Sequence, residues 1–370
     1  MNIGKPTLLL DENKCRKNIR NMVSRAKQNK VDFRPHFKTH QSLEVGSWFS
    51  HEGVSKITVS SCEMAHYFST QWNDITIAFP VNILEINTIN NLAAKINLNI
   101  LLESEQSAGF MVSHAKENLG FFIKIDTGSH RTGLLPENKQ TINRILEITT
   151  KNKLLEFKGF LSHAGHTYNC NTYNEVRDIY HKNLVILQEL KQLYIGQFPN
   201  LILSTGDTPS ASMLEDYEGV DEIRPGNFVF YDLTQLTIGA ANASQIAIAM
   251  RCPVVAVHKH RNEVVLYGGG IHFSKEYIDY PGLGKIFGLP VKQNTDGTWG
   301  KVVEKACLSK LSQEHGILRA PKEWIDTCNI GDTVFLLPVH ACMTVSCMKK
   351  YQRVGCNFSN GDKNEIKAMG

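Results

Sequence analysis

Between residues 31 and 232, short β-rich apolar runs alternate with longer stretches of helical periodicity, and this alternation limits the possible folds more than any other feature. The apolar runs lie at residues 31–38, 56–61, 75–80, 99–103, 121–126, 157–162, 201–205 and 222–225. We expect helices between them, at residues 43–49, 63–68, 86–96, 107–116, 139–149, 173–193 and 211–217. Eight strands with intervening helices predict an α/β fold of the (β/α)8 TIM barrel type. A doubly wound open sheet is the alternative.

The sequence changes in character after residue 240. Its β-like runs, at residues 247–258, 263–267, 301–306 and 333–337, are separated by turns rich in glycine and proline, and convincing helical segments are lacking. We therefore expect a barrel domain over residues 12–240 and a mainly β domain over residues 241–370. A strand within residues 1–11 has no partner fixed by the barrel count, and the β domain is the candidate.

Composition and charge exclude several classes of protein. Hydrophobic residues make up 42% and charged residues 21% of the 370 residues, which is typical of globular domains and not of disordered or fibrous chains. A net charge of +4, without a long basic run, argues against a nucleic-acid partner. No apolar run approaches the ~18 residues of a membrane span, and the N-terminus is not typical of a signal peptide. We expect a cytoplasmic protein with no membrane partner, in which most of the nine cysteines are reduced thiols.

In a barrel of this type, functional side chains are expected where the strands end. The first run ends at Lys38, and a lysine enclosed at a barrel mouth can lose pKa and serve as an amine nucleophile. The plainer alternative is a solvated surface lysine. The fifth run continues through Asp126 and Gly128 to Arg131, which could donate to an anionic ligand oxygen, although Asp-Thr-Gly is also an ordinary turn.

Three further strand ends carry polar groups. The sixth run leads to His163, His166 and Tyr168, a cluster of candidate acids and bases in which His163 has a core histidine as its alternative. The loops after the last two runs, where many barrels bind a phosphate, contain Thr205, Gly206, Asp207, Thr208, Gly226 and Asn227. The competing interpretation of residues 207–210 is a helix N-cap, and both interpretations are compatible.

A candidate metal pair lies in the β domain. His340 and Cys342 are two residues apart, and on an extended segment this spacing directs both side chains to one face. One imidazole and one thiolate, with positions left open for water or substrate, suit a catalytic zinc ion. The alternatives are a pair of buried, unliganded residues, or a ligand role for Cys347 or Cys356 instead.

Six motifs in the same order resemble the family of D-threonine aldolases and eukaryotic-type D-serine dehydratases, which have the alanine-racemase-like fold. They are RPHFKTH at 34–40, DTGSHRTG at 126–133, GHTY at 165–168, TGDTPS at 205–210, RPGNFVFYD at 224–232 and PVHAC at 338–342. The segments PTLLLD at 6–11 and LSQEHG at 311–316 are also similar to family segments. The resemblance therefore extends over nearly the whole chain.

The resemblance implies a pyridoxal 5'-phosphate enzyme in which Lys38 is the Schiff-base lysine. It also implies that the loops at 206–208 and 226–227 hold the cofactor phosphate, and that Arg131 lies near the cofactor's phenolic oxygen. Thr205, Asp207 and Tyr168 complete the expected cofactor contacts. His340 and Cys342 match the metal pair, with Zn²⁺ expected and Mn²⁺ or Mg²⁺ as alternatives. The family also implies a homodimer.

The expected function is a lyase for small β-hydroxy D-amino acids. Family aldolases typically carry His-x-Asp at the metal pair and D-serine dehydratases carry His-x-Cys, which favours elimination to a 2-keto acid and ammonia. In this hypothesis Lys38 takes the Cα proton and the metal acts as a Lewis acid on the β-hydroxyl. In the alternative, D-threonine aldolase-type cleavage to glycine and an aldehyde, His166 is the candidate base and Tyr168 an acid or orienting group.

Four other functions remain as alternatives at this stage. They are a 3-hydroxyaspartate lyase, an amino-acid racemase, a pyridoxal phosphate carrier protein and a metal-only hydrolase on a barrel. The metal pair argues against a racemase, because proton exchange at Cα needs no Lewis acid at the β-oxygen. A carrier protein would need neither the metal pair nor a second domain.

Overall fold

The computed structural model describes residues 4–355 and 364–369, and it divides into two compact units. One, here the barrel unit, comprises Asn21–Lys38 and Gly46–Gly226. The other, here the sheet unit, comprises Met1–Arg20, Thr39–Val45 and Asn227–Gly370. The domain limits expected from the sequence, 12–240 and 241–370, stay a prediction.

The chain begins with strand β1 (Thr7–Asp11) and helix α1 (Glu12–Gln28). The barrel unit then contains eight strands, β2 (Asp32–Phe33), β3 (Ile57–Val59), β4 (Asp74–Pro80), β5 (Asn97–Leu102), β6 (Leu119–Lys124), β7 (Leu155–Leu161), β8 (Ile202–Thr205) and β9 (Glu222–Ile223). The helices between them are α2 (Leu43–His51), α3 (Cys62–Phe68), α4 (Ile86–Ala93), α5 (Glu105–His114), α6 (Lys139–Thr149), α7 (Tyr173–Tyr194) and α8 (Thr208–Met213). Each of the eight predicted strands and seven predicted helices overlaps one of these elements.

The eight strands form one parallel sheet in the order β2-β9-β8-β7-β6-β5-β4-β3. Its two outer strands are joined by a parallel bridge between His36 and Thr58, where the Phe37 N–H donates to the Thr58 carbonyl at 2.9 Å. The bridge closes the sheet, so that the predicted (β/α)8 barrel is confirmed. All six residues of β6 are buried, as expected for a parallel strand covered on both faces.

Aromatic packing and a buried ion pair fix the segment that follows β2. The Phe37 ring lies 5.0 Å from the rings of Phe49 and Phe68 and 5.1 Å from that of Trp72, measured between centroids. Three residues earlier, the buried Arg34 donates to Glu222 at 2.7 Å and to Asp74 at 2.5 Å, which ties β2 to β9 and β4. This segment ends at Lys38, so its anchoring positions that lysine.

After the barrel unit, the chain continues in the sheet unit with helix α9 (Leu233–Ile238), and this part is mainly β, as predicted. Its strands are β10 (Ile248–His258), β11 (Glu263–Tyr267), β12 (Ile278–Tyr280), β13 (Gly284–Ile286), β14 (Gly288–Gln293), β15 (Trp299–Val302), β16 (Cys307–Leu311), β17 (His315–Arg319), β18 (Thr333–Pro338), β19 (Lys350–Val354) and β20 (Glu365–Lys367). The main sheet runs β11-β17-β16-β14-β18-β10-β1-β19-β20, with β15 on β14 and a further pairing of β11 with β10. The N-terminal strand β1 therefore belongs to this sheet.

Among the described residues of the sheet unit, three short α-helices interrupt the strands, α10 (Gly270–Phe273), α11 (Lys322–Ile325) and α12 (Ala341–Met348). The expectation that this region lacks helices was wrong for α12. Its residues continue the apolar run of β18 and include few strong helix formers, which hides the change from strand to helix in the sequence. Within the described residues, no helix is both long enough and apolar enough to cross a membrane.

Candidate active site

Lys38 lies among two histidines of the barrel unit. It is partly buried, and its backbone N–H donates to Nδ1 of His36 at 3.3 Å. Burial lowers the pKa of His36 well below its ordinary value, and the charge of Lys38 lowers it further. The same two causes, in the same order, lower the pKa of His163 to about 3. The amine of Lys38 therefore lies close to two imidazoles that stay neutral at physiological pH.

The tautomer of His163 is fixed by one hydrogen bond. Its Nδ1 lies 2.7 Å from the carbonyl oxygen of Gly206, in the loop after β8. Because a carbonyl oxygen only accepts, Nδ1 carries the proton and Nε2 retains its lone pair. His163 thus offers a neutral acceptor nitrogen beside Lys38.

Two arginines add positive charge at the same place. The charges of Arg131 and Arg224 both lower the pKa values of His36 and His163. Arg224 is buried and donates from Nε to the Ser204 hydroxyl at 2.7 Å, whereas Arg131 is exposed in the loop after β6. The structure therefore brings Arg131 into the electrostatic neighbourhood of Lys38.

Lys124 is a third cation of this neighbourhood. It is buried at the end of β6, where its Nζ donates to the Thr132 hydroxyl. Burial, followed by the charge of Arg131, lowers its pKa to about 8. No role for Lys124 was expected from the sequence. Positive charge around Lys38 makes this end of the barrel favourable for an anionic ligand.

The loop after β8 has a backbone that admits only glycine at position 206. Gly206 has φ of +150°, and a Cβ there would lie 2.4 Å from the backbone nitrogen of Arg224. That nitrogen donates to the Thr205 carbonyl at 2.8 Å, which joins the ends of β8 and β9. The Tyr168 hydroxyl accepts the Thr208 N–H at 3.4 Å. Tyr168, Gly206 and Thr208 are therefore neighbours, as the proposed cofactor contacts require.

The side chains of Asp207 and Thr205 both make hydrogen bonds within the protein. Asp207 caps α8 through Ser210 N–H at 2.8 Å and accepts the Thr167 hydroxyl at 2.9 Å, while burial raises its pKa to about 6. The Thr205 hydroxyl accepts from Asn183 at 3.0 Å. The structure confirms the N-cap interpretation of Asp207, whose other carboxylate oxygen, Oδ2, is buried without a hydrogen-bond partner in the protein.

His166 has different electrostatic neighbours from Lys38. It lies on the turn Gly165–Asn169 after β7, and its pKa is lowered by burial, with opposing influence from Asp126 and smaller effects of Lys182 and His130. Neither Lys38 nor an arginine is among these causes. Of the two histidines that follow β7, His163 is thus the one that shares the surroundings of Lys38, and the role of His166 as a base stays a prediction.

The loop after β9 lies beside the segment that leads to Lys38, because the His36 N–H donates to the Pro225 carbonyl at 2.9 Å. Gly226 follows directly and ends the barrel unit. One lysine amine, several cations and a glycine-constrained loop thus meet at this end of the barrel. This set of donors fits a phosphorylated aldehyde such as pyridoxal 5'-phosphate.

In the sheet unit, His340 and Cys342 lie where β18 gives way to α12. His340 is the N-cap residue with an extended backbone, and Cys342 lies in the first helical turn. The expectation of one extended segment was therefore wrong, although the two side chains still meet. Burial alone would lower the pKa of His340, but hydrogen bonds with Cys342 and Glu276 raise it to about 11.

Polar groups surround the Cys342 thiol. The Thr39 hydroxyl lies 3.2 Å from Sγ, and the Asn227 amide nitrogen lies 3.9 Å from it. Asn227 also donates to the buried Asp232 at 2.6 Å, and Asp232 accepts the backbone N–H of Ala341 at 2.9 Å. Asn227 was expected to contact the cofactor phosphate, but its amide nitrogen bonds to Asp232 and lies beside the Cys342 thiol.

The pair His340 and Cys342 offers one imidazole and one thiol to a metal. These donors fit zinc better than magnesium or calcium, which prefer oxygen ligands. Among residues 4–355 and 364–369, no three histidine, cysteine or acidic side chains are grouped to hold an ion. Cys347 is in no such group, and Cys356 lies outside the described residues. A metal here would keep positions open for water or substrate.

Sequence reasoning missed Glu276 and gave no role to Arg224. Glu276 bonds His340 from 64 positions earlier in the chain, a separation at which no local pattern signals contact. Arg224 stood inside the quoted RPGN motif, at the end of a predicted strand, and that position was the available signal.

Comparisons with known proteins agree with the fold and the motifs. Residues 10–233, more than half of the chain, match the family model described as "Alanine racemase, N-terminal domain". Residues 247–354 match the model described as "Putative serine dehydratase domain". A curated D-serine dehydratase from Dictyostelium discoideum is 27% identical, over 99% of this chain and 96% of that protein.

Two further proteins are similar over nearly their whole lengths. A D-threo-3-hydroxyaspartate dehydratase from Delftia sp. (strain HT23) is 25% identical over 97% of this chain and 96% of that protein. The match to its solved structure covers 99% of this chain and 98% of the chain in that structure, with 23% sequence identity and a TM-score of 0.89. The solved structure of a D-threonine aldolase from Filomicrobium marinum is 17% identical in sequence, and the match covers 99% of this chain and 96% of that chain with a TM-score of 0.77.

These matches confirm the predicted family resemblance and show that the chain is an enzyme related to the dehydratases. They also confirm the alanine-racemase-like fold. A small amino acid as substrate is consistent with the relatives. The chain belongs to the alanine-racemase-like family, in the group that carries the serine dehydratase domain.

Proposed function

We propose that the protein is a pyridoxal 5'-phosphate- and metal-dependent lyase that eliminates water from small β-hydroxy D-amino acids. The products are a 2-keto acid and ammonia. The observation that carries the proposal is the contact between the imidazole of His340 and the thiol of Cys342, on a chain whose barrel unit holds Lys38 in a cationic site. The dehydratases among the relatives support the same reaction.

The metal role has separate support. Two solved structures are single variants of the D-threo-3-hydroxyaspartate dehydratase. One has a histidine replaced by alanine, and the other has the cysteine two positions later replaced by alanine. The cysteine variant is described as a metal-free form. His340 and Cys342 have the same spacing, and we propose that they hold a divalent metal, with zinc favoured by the thiol.

In the proposed mechanism, Lys38 binds the cofactor and then moves the Cα proton of the substrate. When bound, pyridoxal 5'-phosphate supplies an electron sink for the charge that develops at Cα. Arg131 and the backbone around Gly206, Thr208 and Gly226 hold the anionic groups. His163 is neutral, with its proton on Nδ1, so it adds no charge beside Lys38 during the proton transfer.

Loss of the β-hydroxyl requires help, because hydroxide is a poor leaving group. A divalent metal held by His340 and Cys342 supplies a Lewis acid for that oxygen. The proton from Cα and the hydroxyl from Cβ together leave as water, and a water molecule then hydrolyses the released enamine to the 2-keto acid and ammonia. His340 and Cys342 bind and orient the metal, and Thr39 and Asn227 are placed to donate to the sulfur.

D-Threo-3-hydroxyaspartate is a second candidate substrate, which the 25%-identical relative favours. The test is an assay of the zinc-replete protein with the D- and L-forms of serine, threonine and threo-3-hydroxyaspartate. We expect keto acid and ammonia in equal amounts from D-forms only. Turnover of the L-forms alone, or of none of the six, would contradict the proposal.

A further inference from the structure

The Nδ1 atom of His340 is hydrogen-bonded to a carboxylate oxygen of Glu276. A carboxylate accepts, so Nδ1 carries a proton, and the other ring nitrogen, Nε2, is the atom left to bind a metal, which would displace the proton there. We propose that Glu276 is a positioning residue that holds His340 ready to bind the metal through Nε2. This inference rests on the metal pair of the proposed function, and it adds a residue outside that pair.

The physical argument concerns the orientation and tautomer of an imidazole. A neutral histidine carries its proton on either nitrogen, and the hydrogen bond made by one nitrogen decides which of the two can bind a metal. A carboxylate on Nδ1 also makes Nε2 a better donor to the metal. His340 has an extended backbone at the N-cap of α12. Its imidazole is hydrogen-bonded both to Cys342 and to Glu276, and the bond to Glu276 fixes the Nδ1 side of the ring.

The segment that carries Glu276 is built against α12. The Thr344 hydroxyl of α12 shares its one proton between the carbonyl oxygens of His340, at 3.0 Å, and Phe273, at 3.3 Å, and the contact with Phe273 joins α10 to α12. Ser274 then adopts φ of +68°, an unfavourable backbone conformation for serine, and its hydroxyl accepts the Glu276 N–H at 3.3 Å. A non-glycine residue keeps such a conformation only where its surroundings hold it. The turn thereby aims Glu276 at His340.

The backbone of His340 does not depend on Glu276. Buried Asp232 accepts the N–H of Ala341 at 2.9 Å, and the Thr344 hydroxyl donates to the His340 carbonyl at 3.0 Å. The side chain of Glu276 is 47% exposed, so little packing is lost when it is shortened. Loss of its carboxylate should therefore affect the ring of His340 and leave the fold intact.

The test is the Zn²⁺ affinity of the cofactor-loaded protein, measured by competition with a chromophoric chelator. We expect Glu276→Ala to weaken Zn²⁺ binding about 10- to 100-fold. Glu276→Gln should lose less, because its amide oxygen still accepts from Nδ1. The control is Asp279→Asn on the neighbouring β12, an exposed acid of the same segment, which should bind Zn²⁺ like the wild type.

Two measurements separate positioning from a general structural role. The melting temperature of the metal-free protein and the visible absorption of the cofactor should be the same in all four proteins. With Co²⁺ as a spectroscopic probe, Glu276→Ala should shift the thiolate-to-metal absorption, as expected when the imidazole is no longer oriented.

The inference would be overturned by wild-type Zn²⁺ affinity in Glu276→Ala, or by an equal loss in Asp279→Asn, which would point to charge alone. If Glu276→Ala melts early, the isosteric Glu276→Gln decides, and equal early melting in both variants would assign Glu276 a structural role instead. A wild-type protein that binds no Zn²⁺ would contradict the metal site of the proposed function. The two failures are therefore distinguishable.

Discussion

The Nδ1 atom of His163 lies 2.7 Å from the carbonyl oxygen of Gly206, and this bond joins the loops that follow β7 and β8. It keeps an uncharged imidazole among the cations that surround Lys38. The consequences reach both the stability of the barrel unit and the chemistry proposed for it.

The first prediction concerns acid stability. Burial, followed by the charge of Lys38, lowers the pKa of His163 to about 3, whereas an unfolded histidine has a value of 6.5. Below 6.5 the unfolded chain binds a proton that the folded chain refuses, so stability falls as the pH drops from 6.5 towards 3. In the His163→Gln variant, the glutamine side chain cannot be protonated in this pH range, but its amide can still donate to the Gly206 carbonyl oxygen. The variant should lose less melting temperature than the wild type between pH 7 and pH 5, and parallel curves would refute this account.

The buried ion pairs of Arg34 predict a large loss of stability. Arg34→Met leaves the buried carboxylate of Glu222 without the cation that hydrogen-bonds it, which costs about 3–5 kcal/mol. Lys56→Met is the matched control in the same barrel, because Lys56 pairs with the exposed Asp32 and such pairs contribute about 0–1 kcal/mol. Urea denaturation followed by tryptophan fluorescence compares the two. A similar cost for both variants would argue against the buried network.

Gly206→Ala tests the cofactor loop. The new Cβ would lie 2.4 Å from the Arg224 nitrogen and require φ of +150°, so the ends of β8 and β9 must separate. Affinity for pyridoxal 5'-phosphate, measured from visible absorption, should fall roughly tenfold or more. Gly109→Ala on α5 is the control, since nothing lies within 4 Å of its Cβ and alanine should stabilise that helix by about 0.5–1 kcal/mol. Unchanged affinity in Gly206→Ala would place the cofactor elsewhere.

Lys38→Ala tests the covalent link to the cofactor. The wild type, reconstituted with pyridoxal 5'-phosphate, should show an absorption band in the visible range. The Lys38→Ala protein should lack this band. The exposed Lys95→Ala should retain it. A band of wild-type strength in Lys38→Ala would show that another lysine binds the aldehyde.

The barrel could be predicted from sequence because each of its elements carries a local signal. The buried strand β6 is apolar throughout, and α7 begins with a capping box between Thr172 and Glu175. Charge and burial around Lys38 could not be predicted, because they arise where five strand ends converge from distant parts of the chain. The spacing of the motifs gave Arg131 and Gly206, while the distinction between His163 and His166 required the loop geometry.

The metal pair shows the same division. The two-residue spacing of His340 and Cys342 was sufficient to pair them, yet the extended backbone expected for both was wrong, because α12 starts between them. Glu276 was out of reach, since its contact with His340 depends on the turn at Ser274. Contacts made by tertiary structure leave no periodic trace in the sequence.

The most direct test of the proposed function uses D-threonine, on which both competing reactions are possible. Elimination yields 2-ketobutyrate and ammonia, whereas retro-aldol cleavage yields glycine and acetaldehyde. The measurement is the ratio of 2-ketobutyrate to glycine formed by the zinc-replete holoenzyme, with the same assay after removal of the metal. We predict 2-ketobutyrate with equimolar ammonia, abolished by metal removal and restored by zinc. Glycine with acetaldehyde as the main products would contradict the dehydratase and establish an aldolase.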